Sequence, residues 1–398
     1  MFRLYLSKTQ ERMLAGEFGE AAAKAMEILV ALGKIYGASR LVRCTSAQIS
    51  GVSYKNIGDA GADFLWDLAE KGARVRIPSY VNPAGMDLNR FEEMNLDPKF
   101  VQGQTKILQA YRRMGVNLSL TCAPYQIGVV PRLGEHIAWA ESSAVIFANS
   151  VLGAMTNRES GVSALCSAIT GYTPYYGYHI PSNRVATLLV NVSAELADPV
   201  DYAVLGSYTG RLAGDRIVAF RGITPSREDL KALGAALAST GAVALFFVEG
   251  VTPEWRRADP PEIVGVSQTE LKAEAERLGG SAPSADVITI GCPHASIEEI
   301  GRLAKILANR KLTKPLFVYT SRQVKSQADQ AGYTKIIELA GGKIFCDTCM
   351  VVSPIDRMGV SSIDVASAKA AYYSPMMSHV NVRLAPLERI ILEASEAV

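Results

Sequence analysis

Short apolar runs of strand length alternate with helical runs along most of this chain. In its second half, predicted strands at residues 217–220 and 287–290 are followed by predicted helices at residues 227–239 and 297–308. Strand, helix and strand in succession favour a parallel sheet with helices on its faces, and such sheets bind ligands at the carboxyl ends of their strands. The alternation therefore predicts an α/β fold of mainly parallel sheets flanked by helices.

The first third of the chain repeats this scheme, with polar loops where the predicted strands end. Residues 75–78 and 116–121 are predicted strands, and each leads into a loop that carries Ser, Asn or Cys. Residues 46–54 are small and polar, follow neither the helical nor the strand period, and are predicted to form a loop. Because functional side chains concentrate on loops held by a rigid scaffold, these segments are candidates for ligand binding.

The length of 398 residues allows two or three domains with cores of their own. We predict three α/β domains, at residues 1–130, 131–282 and 283–398, with a boundary at the Ala-Pro-Ser segment 282–284. The last helix is predicted at residues 364–373, which leaves no room for a further domain before residue 398.

The composition is that of a well-buried globular protein, with 48% hydrophobic and 20% charged residues. A net charge of +2 gives no basic field that would attract nucleic acid or an acidic membrane surface. The N-terminus lacks the apolar core of a secretory signal, and the longest apolar runs, such as residues 242–248, are too short to span a bilayer. We therefore expect a cytoplasmic protein with neither nucleic acid nor membrane as a partner.

Cysteines follow three of the predicted strands: Cys122, Cys292, and the Cys-x-x-Cys pair Cys346 and Cys349. Such a pair fits a zinc half-site, a redox dithiol, ligands of an iron–sulfur cluster, or two unrelated core thiols. The spacing between the three segments is not that of a zinc knuckle. Free cysteines are also among the most buried residue types, so core packing is the alternative to a metal or cluster site.

Several long strings of the sequence are characteristic of one family. They are ISGVSYKNIG at 49–58, GEHIAWAESSAV at 134–145, ANSVLGAMTNRE at 148–159, GCPH at 291–294 and TSR at 320–322. Through them the chain resembles, essentially from end to end, the large subunit of the aconitase X family, a divergent branch of the aconitase superfamily. The resemblance implies a multidomain aconitase-like α/β architecture that lacks the small swivelling domain.

The resemblance also implies a dehydratase, that is, a hydro-lyase, with an iron–sulfur cluster held by three cysteines. Loss of hydroxide from carbon requires an electrophile on the leaving oxygen, which an open-coordinate iron supplies, and a base for the neighbouring proton. A 4Fe-4S cluster is expected, with 3Fe-4S or loss of the cluster in air as alternatives. Cys44 and Cys166 are expected in the core, and the role of Cys346 is open. The resemblance assigns the cluster to Cys122, Cys292 and Cys349.

Further roles follow from the same strings and from the chemistry of the side chains. Glu141 is equally interpretable as a helix cap, Lys369 as a solvated lysine, and His136 and His294 as structural histidines. Candidate catalytic residues are His136 and Arg322, the latter as a clamp for a carboxylate or phosphate. Candidate substrate-binding residues are Gly51, Val52, Ser53, Asn82, Pro83, Glu141, Ser142 and Lys369.

The superfamily's small swivelling domain, which contributes a catalytic serine as the base, is expected here as a separate small subunit. Two-subunit archaeal members dehydrate (R)-5-phosphomevalonate to trans-anhydromevalonate 5-phosphate in a modified mevalonate pathway of isoprenoid synthesis. Longer, fused members dehydrate cis-3-hydroxy-L-proline. The short chain favours phosphomevalonate, a small anionic substrate. A zinc-dependent hydrolase and a non-catalytic redox or cluster-carrier protein are the alternatives from other classes.

Overall fold

In the computed structural model, the part of the chain that is described comprises residues 4–255, 262–280 and 282–398. Within it lie three mainly parallel sheets, one after another along the sequence, and two short antiparallel strand pairs. No helix in these ranges is both long and apolar enough to cross a membrane.

The first sheet is parallel and three-stranded, in the order β3-β2-β4, and a two-stranded antiparallel pair, β1 and β5, lies in the same region. The elements are α1 Lys8–Leu14, α2 Glu20–Ile35, β1 Leu41–Arg43, β2 Ala47–Ile49, α3 Tyr54–Glu70, β3 Ser79–Val81, α4 Pro98–Arg113, β4 Ala138–Trp139, α5 Ser142–Phe147, α6 Gly161–Thr170 and β5 Tyr172–Pro174. Every strand of the sheet ends in a segment that carries predicted site residues.

The second sheet is parallel and four-stranded, in the order β8-β7-β6-β9. Asp198 and Ser226 cap its first two helices with reciprocal side-chain bonds, which explains why those helices are readily predicted from sequence. The elements are β6 Leu188–Val192, α7 Pro199–Ala213, β7 Val218–Arg221, α8 Arg227–Thr240, β8 Phe246–Val248, β9 Glu262–Val266 and α9 Gln268–Arg277.

The third sheet is parallel and five-stranded, in the order β13-β12-β10-β14-β15, and β11 pairs with β16 beside it. The elements are β10 Val287–Ile290, α10 Ile297–Leu307, β11 Arg310–Leu312, β12 Leu316–Thr320, α11 Arg322–Gln330, α12 Tyr333–Leu339, β13 Gly342–Cys346, β14 Ser362–Val365, α13 Ala368–Ser378, β15 Asn381–Leu384, α14 Leu387–Glu393 and β16 Ser395–Ala397. The prediction of mainly parallel α/β architecture is confirmed.

Four predicted elements are wrong. Residues 46–54 contain β2 rather than a continuous loop, and the predicted strand at 75–78 is replaced by β3, which begins just after it. Residues 116–121 form no strand, because Leu120 takes a left-handed conformation with φ of 46° that interrupts strand pairing. The predicted last helix at 364–373 is in fact the end of β14 followed by α13, and β15, α14 and β16 come after it.

The first and third sheets meet through the loops at the carboxyl ends of their strands. The amide of Ala84, just beyond β3, donates to the carbonyl of Asp347, just beyond β13, at 2.7 Å. The hydroxyl of Ser53, beyond β2, donates to the carbonyl of Val352 at 2.8 Å. Since parallel sheets place ligand-binding loops at these ends, the seam between the two sheets is where a functional site is expected.

Candidate active site

A cavity of about 260 Å³ lies at the seam between the first and third sheets. It brings together all three predicted cluster cysteines and six of the eight predicted substrate-binding residues. Its lining consists of Ser50, Gly51, Asn56, Asn82, Pro83, Cys122, Glu141, Ser142, Cys292, Cys349, Val351, Val352, Lys369, Tyr373 and Met377.

The backbone before each of the first two cysteines is held in a left-handed conformation. Leu120 turns the chain just before Cys122, and Gly291, with φ of 107°, does so between β10 and Cys292. A Cβ atom at Gly291 would lie 2.1 Å from the carbonyl oxygen of Tyr319, so the neighbouring strand approaches too closely for any other residue. These turns direct both cysteines towards the seam.

His294 ties the three cysteine segments together. Its Nδ1 lies 3.1 Å from the hydroxyl of Thr121, its Nε2 lies 2.9 Å from the carbonyl of Thr348, and its own amide donates to Cys122 Sγ at 3.2 Å. Because a carbonyl only accepts, Nε2 carries the proton and Nδ1 accepts from Thr121. Burial lowers the pKa of His294 from 6.5 to about 4, so the ring stays neutral.

The charged pair in the cavity is Lys369 with Glu141. The ammonium of Lys369 is ion-paired with the Glu141 carboxylate and donates to Ser143 Oγ at 3.1 Å. The second carboxylate oxygen of Glu141 accepts from Asn82 Nδ2 at 2.8 Å, and its amide donates to Gln48 Oε1 at 2.8 Å. Burial acts to raise the pKa of Glu141, but Lys369 and the donated hydrogen bonds outweigh it and hold the pKa at about 2.

The three cavity thiols are buried beside a cation and backbone donors. Burial raises the pKa of Cys122 to about 12, while the charge of Lys369 acts in the opposite direction on Cys122, Cys292 and Cys349. Backbone N–H groups of Val351 and Val352 also favour the thiolate of Cys349. Such surroundings suit thiols that lose their protons to a bound metal centre, because metal ligation deprotonates the sulfur.

The arrangement fits a polynuclear cluster better than a single ion. In the described ranges, no group of three or more His, Cys, Asp or Glu side chains is placed to hold one metal ion. Zinc would require four donors around one point, whereas the thiolates of an iron–sulfur cluster bind separate iron atoms around a larger body. Three thiols lining one cavity meet the second requirement.

Val52 and Ser53 lie behind the cavity wall rather than in its lining. The Val52 carbonyl accepts from Gln104 Nε2 at 3.0 Å, and the Ser53 side chain caps α3 while it bonds to Val352. Next to them, Lys55 Nζ donates to the carbonyl of Ser353 at 2.9 Å and that of Val351 at 3.3 Å. These contacts hold the two walls of the cavity together, a role that the sequence alone did not indicate.

His136 lies before β4, whereas the cavity residue Glu141 lies after it. Its Nδ1 is 3.0 Å from Nδ1 of His179, a buried residue, and Tyr175 packs edge-on against its ring. His136 is not part of the cavity lining. Its catalytic role stays a prediction that its position does not favour.

Arg322 is the first residue of α11, and its guanidinium is already engaged. It donates to Asp87 Oδ1 at 3.0 Å and is ion-paired with Asp347. It does not line the cavity, and nor does Cys346, whose amide donates to Asp87 Oδ2 at 2.7 Å. A substrate clamp at Arg322 is therefore a prediction that these contacts disfavour, and Cys346 lies outside the cavity that the other three thiols line.

Three parts of the sequence match the family models for the Aconitase X first domain at residues 3–182, second domain at residues 186–276 and third domain at residues 285–396. The chain belongs to the aconitase X family. Its α/β aconitase-like fold is confirmed by a crystal structure of Thermococcus kodakaraensis aconitase X in the holo-form, which has a TM-score of 0.92 and 47% identity. That match covers 98% of this chain and 100% of the solved one. The three domains predicted at residues 1–130, 131–282 and 283–398 stay a prediction.

Curated relatives in the aconitase X family are named as dehydratases. The phosphomevalonate dehydratase large subunit of Methanothermobacter thermautotrophicus is 51% identical over 94% of this chain and 95% of its own. That of Thermococcus kodakarensis is 48% identical over 98% and 100%. The cis-3-hydroxy-L-proline dehydratase of Pseudomonas aeruginosa is 35% identical over 96% of this chain but 68% of its own. Aconitase X membership points to an iron–sulfur cluster, and the words "large subunit" imply a small-subunit partner.

Proposed function

We propose that this chain is the large subunit of a phosphomevalonate dehydratase, a hydro-lyase that converts (R)-5-phosphomevalonate to trans-anhydromevalonate 5-phosphate in a modified mevalonate pathway. The observation that carries the proposal is the convergence of three thiols, a buried lysine and a polar wall on one cavity. Five relatives named for this activity are 38% to 51% identical over nearly the whole chain, against 35% and 36% for two relatives named cis-3-hydroxy-L-proline dehydratase.

Cys122, Cys292 and Cys349 are the proposed ligands of a 4Fe-4S cluster, the iron–sulfur type for which three thiolates leave one iron without a protein ligand. When bound, the cluster supplies a Lewis acid for the leaving hydroxyl group of the substrate. We also propose that protein purified in air contains the cluster as 3Fe-4S or has lost it. The residues of the chain itself bind and orient the substrate around this centre.

Lys369 is the proposed anchor for the anionic substrate. Its ammonium is buried, and burial strengthens its attraction for a negative group in the same cavity. Asn82 and Ser142 add an amide and a hydroxyl to the lining, and Gly51 lines the cavity without a side chain. Glu141 holds the lysine in place, since the pair is fixed by further hydrogen bonds from Asn82.

The base that removes the proton from carbon is proposed to come from the partner subunit. Glu141 is the cavity's carboxylate, and with a pKa of about 2 it is a poor proton acceptor at neutral pH. A serine on the swivelling domain of the small subunit, the arrangement implied by the family resemblance, fills this role. Closure by that domain would exclude water from the cavity.

We place the reaction in the cytoplasm. All six cysteines are free and buried, as in proteins of a reducing compartment. That neither nucleic acid nor a membrane is a partner stays a prediction.

The proposal is tested with the two subunits co-expressed and purified without oxygen. We expect brown protein with iron and sulfide in the proportions of a cluster, dehydration of (R)-5-phosphomevalonate, and no turnover by the large subunit alone. A strong preference for cis-3-hydroxy-L-proline would assign the chain to the other activity of the family. Colourless protein that contains zinc would overturn the proposal in favour of a hydrolase, and a cluster without dehydration of either compound would favour a carrier.

A further inference from the structure

Two buried aspartates face each other across the seam between the first and third sheets. Asp87 lies beyond β3 and Asp347 beyond β13, and each side chain is 2% exposed. Both carboxylates are ion-paired with the same guanidinium, that of Arg322 at the start of α11. One cation therefore serves two carboxylates from loops that are distant in the sequence.

The two loops also hold each other through reciprocal backbone bonds. Asp87 Oδ2 accepts from the amide of Cys346 at 2.7 Å, and Asp347 Oδ2 accepts from the amide of Leu88 at 3.2 Å. The amide of Ala84 donates to the Asp347 carbonyl at 2.7 Å. The first loop begins with the cavity residues Asn82 and Pro83, and the second ends with Cys349. The separation of these two parts of the cavity lining thus depends on the aspartate pair.

The two carboxylates do not depend equally on Arg322. Asp87 accepts backbone bonds from Asn89 at 2.8 Å, Arg90 at 3.2 Å and Cys346 at 2.7 Å. The side chain of Asp347 has one backbone donor, Leu88, besides the guanidinium. A buried carboxylate without a counter-charge is strongly unfavourable, so removal of the guanidinium acts chiefly on Asp347.

We propose that Arg322 is a positioning residue that fixes Cys349 against the wall formed by Asn82 and Pro83, in place of the substrate clamp that its sequence suggests. Neutralising Arg322 leaves Asp347 buried and unpaired, and the loop that carries Cys349 moves away from the seam. The inference rests on the proposed function only in taking Cys349 as a cluster ligand.

The test is a double-mutant cycle of Arg322→Gln and Asp347→Asn in the co-expressed, oxygen-free complex. Arg322→Gln should lose most of its iron and sulfide, and in the cluster-free chain Cys349 should react with iodoacetamide about tenfold faster, as measured by mass spectrometry, because local opening exposes it. Adding Asp347→Asn removes the charge that needs a partner and keeps the acceptor for Leu88, so both readouts should return towards those of the unchanged complex.

A direct role of Arg322 in substrate binding predicts a different pattern. Arg322→Gln would then keep its iron and its slow alkylation, raise KM, and gain nothing from Asp347→Asn; that result would overturn the inference. Where Arg322→Gln alone does not fold, Asp347→Asn and the double variant are compared: equal iron content supports the inference and a large further loss overturns it.

Arg184→Gln is the matched control. Arg184, like Arg322, is ion-paired with a carboxylate, that of Glu254, although its side chain is 2% exposed against 41% for Arg322. Its other bonds go to Asn149 and Tyr178 rather than to a cysteine loop. It should lower stability while iron content and Cys349 alkylation stay unchanged. If the unchanged complex binds no cluster, the proposed function fails, while the alkylation of Cys349 still decides the role of Arg322.

Discussion

Lys369 and Glu141 form an ion pair inside the cavity, with their side chains 7% and 14% exposed. Neither member is stable alone in this environment, because a buried charge without a partner is strongly unfavourable. The pair therefore combines a structural requirement with a charge that faces the cavity. Substitutions separate the two roles.

Lys369→Met should lower the free energy of unfolding by about 3–5 kcal/mol, because it leaves the Glu141 carboxylate buried without its cation. Adding Glu141→Gln should recover most of that stability but none of the dehydratase activity, since the anchoring charge is still missing. Urea unfolding and steady-state kinetics of the complex measure both quantities. An active double variant would show that Lys369 matters only for folding.

Serine substitutions at Cys122, Cys292, Cys346 and Cys349 should differ sharply in how much iron and sulfide the protein retains. Cys122→Ser, Cys292→Ser and Cys349→Ser should each lower iron and sulfide content strongly, because each removes a thiolate from the cavity. Cys346→Ser is the matched control, since this buried thiol lies outside the lining and should keep the cluster. Retention of the cluster by Cys292→Ser with its loss in Cys346→Ser would contradict the ligand assignment.

Gly291→Ala should be severely destabilising, by more than about 3 kcal/mol, because left-handed strain adds to an overlap with the backbone of the next strand. Gly332→Ala is the comparison: Gly332 has φ of 77° in the same sheet's layer of helices, and its Cβ would meet nothing within 4 Å. It should cost only about 1–2 kcal/mol of strain. Thermal unfolding of both variants checks the difference, and equal losses would refute the role of the close approach to Tyr319.

The His179 imidazole should make the fold less stable in acid. Burial, with the neighbouring His136 and Arg184, lowers the pKa of His179 from 6.5 to about 3. The unfolded chain therefore binds a proton that the folded chain does not, and stability falls as the pH drops below about 6.5. Between about pH 7.5 and pH 5 this amounts to about 2 kcal/mol. In urea unfolding, the free energy of unfolding of His179→Asn should fall by about 2 kcal/mol less than that of the natural chain between these two pH values. Identical pH profiles of the two proteins would contradict the assignment.

The fold was predictable wherever local signals agreed. Strand β10 and helices α8 and α10 coincide closely with their predictions, because an apolar run is followed by Ser226 or Ser296 in a capping box. Strand β2 was missed because its polar residue, Gln48, resembles a loop residue in sequence, whereas in the structure it is fully buried and its amide is bonded to Asn82 and Glu141. Strand β2 is also only three residues long, too short for a strand period to be recognised in the sequence.

The site was predictable in its chemistry but not in its connections. Residue types at strand ends suggested where thiols and anion-binding groups would gather, and the family strings supplied the rest. The engagement of Arg322 by Asp87 and Asp347 could not be read from sequence, because it joins segments more than two hundred residues apart. The same holds for the contact between His294 and Thr121, because it joins a loop of the third sheet to the region of the first sheet, 173 residues away in the sequence.

The seam also has a consequence for biogenesis. Asn82 and Cys122 come from the first sheet, while Cys292, Cys349 and Lys369 come from the third. On the ribosome, domains fold from the N-terminal end, so the first sheet forms while Cys292 and Cys349 are still unsynthesised. Cys122 then has no companions with which to bind iron. If Cys122, Cys292 and Cys349 hold the metal centre as proposed, its delivery follows docking of the last sheet, and iron incorporation in cells then measures completed folding.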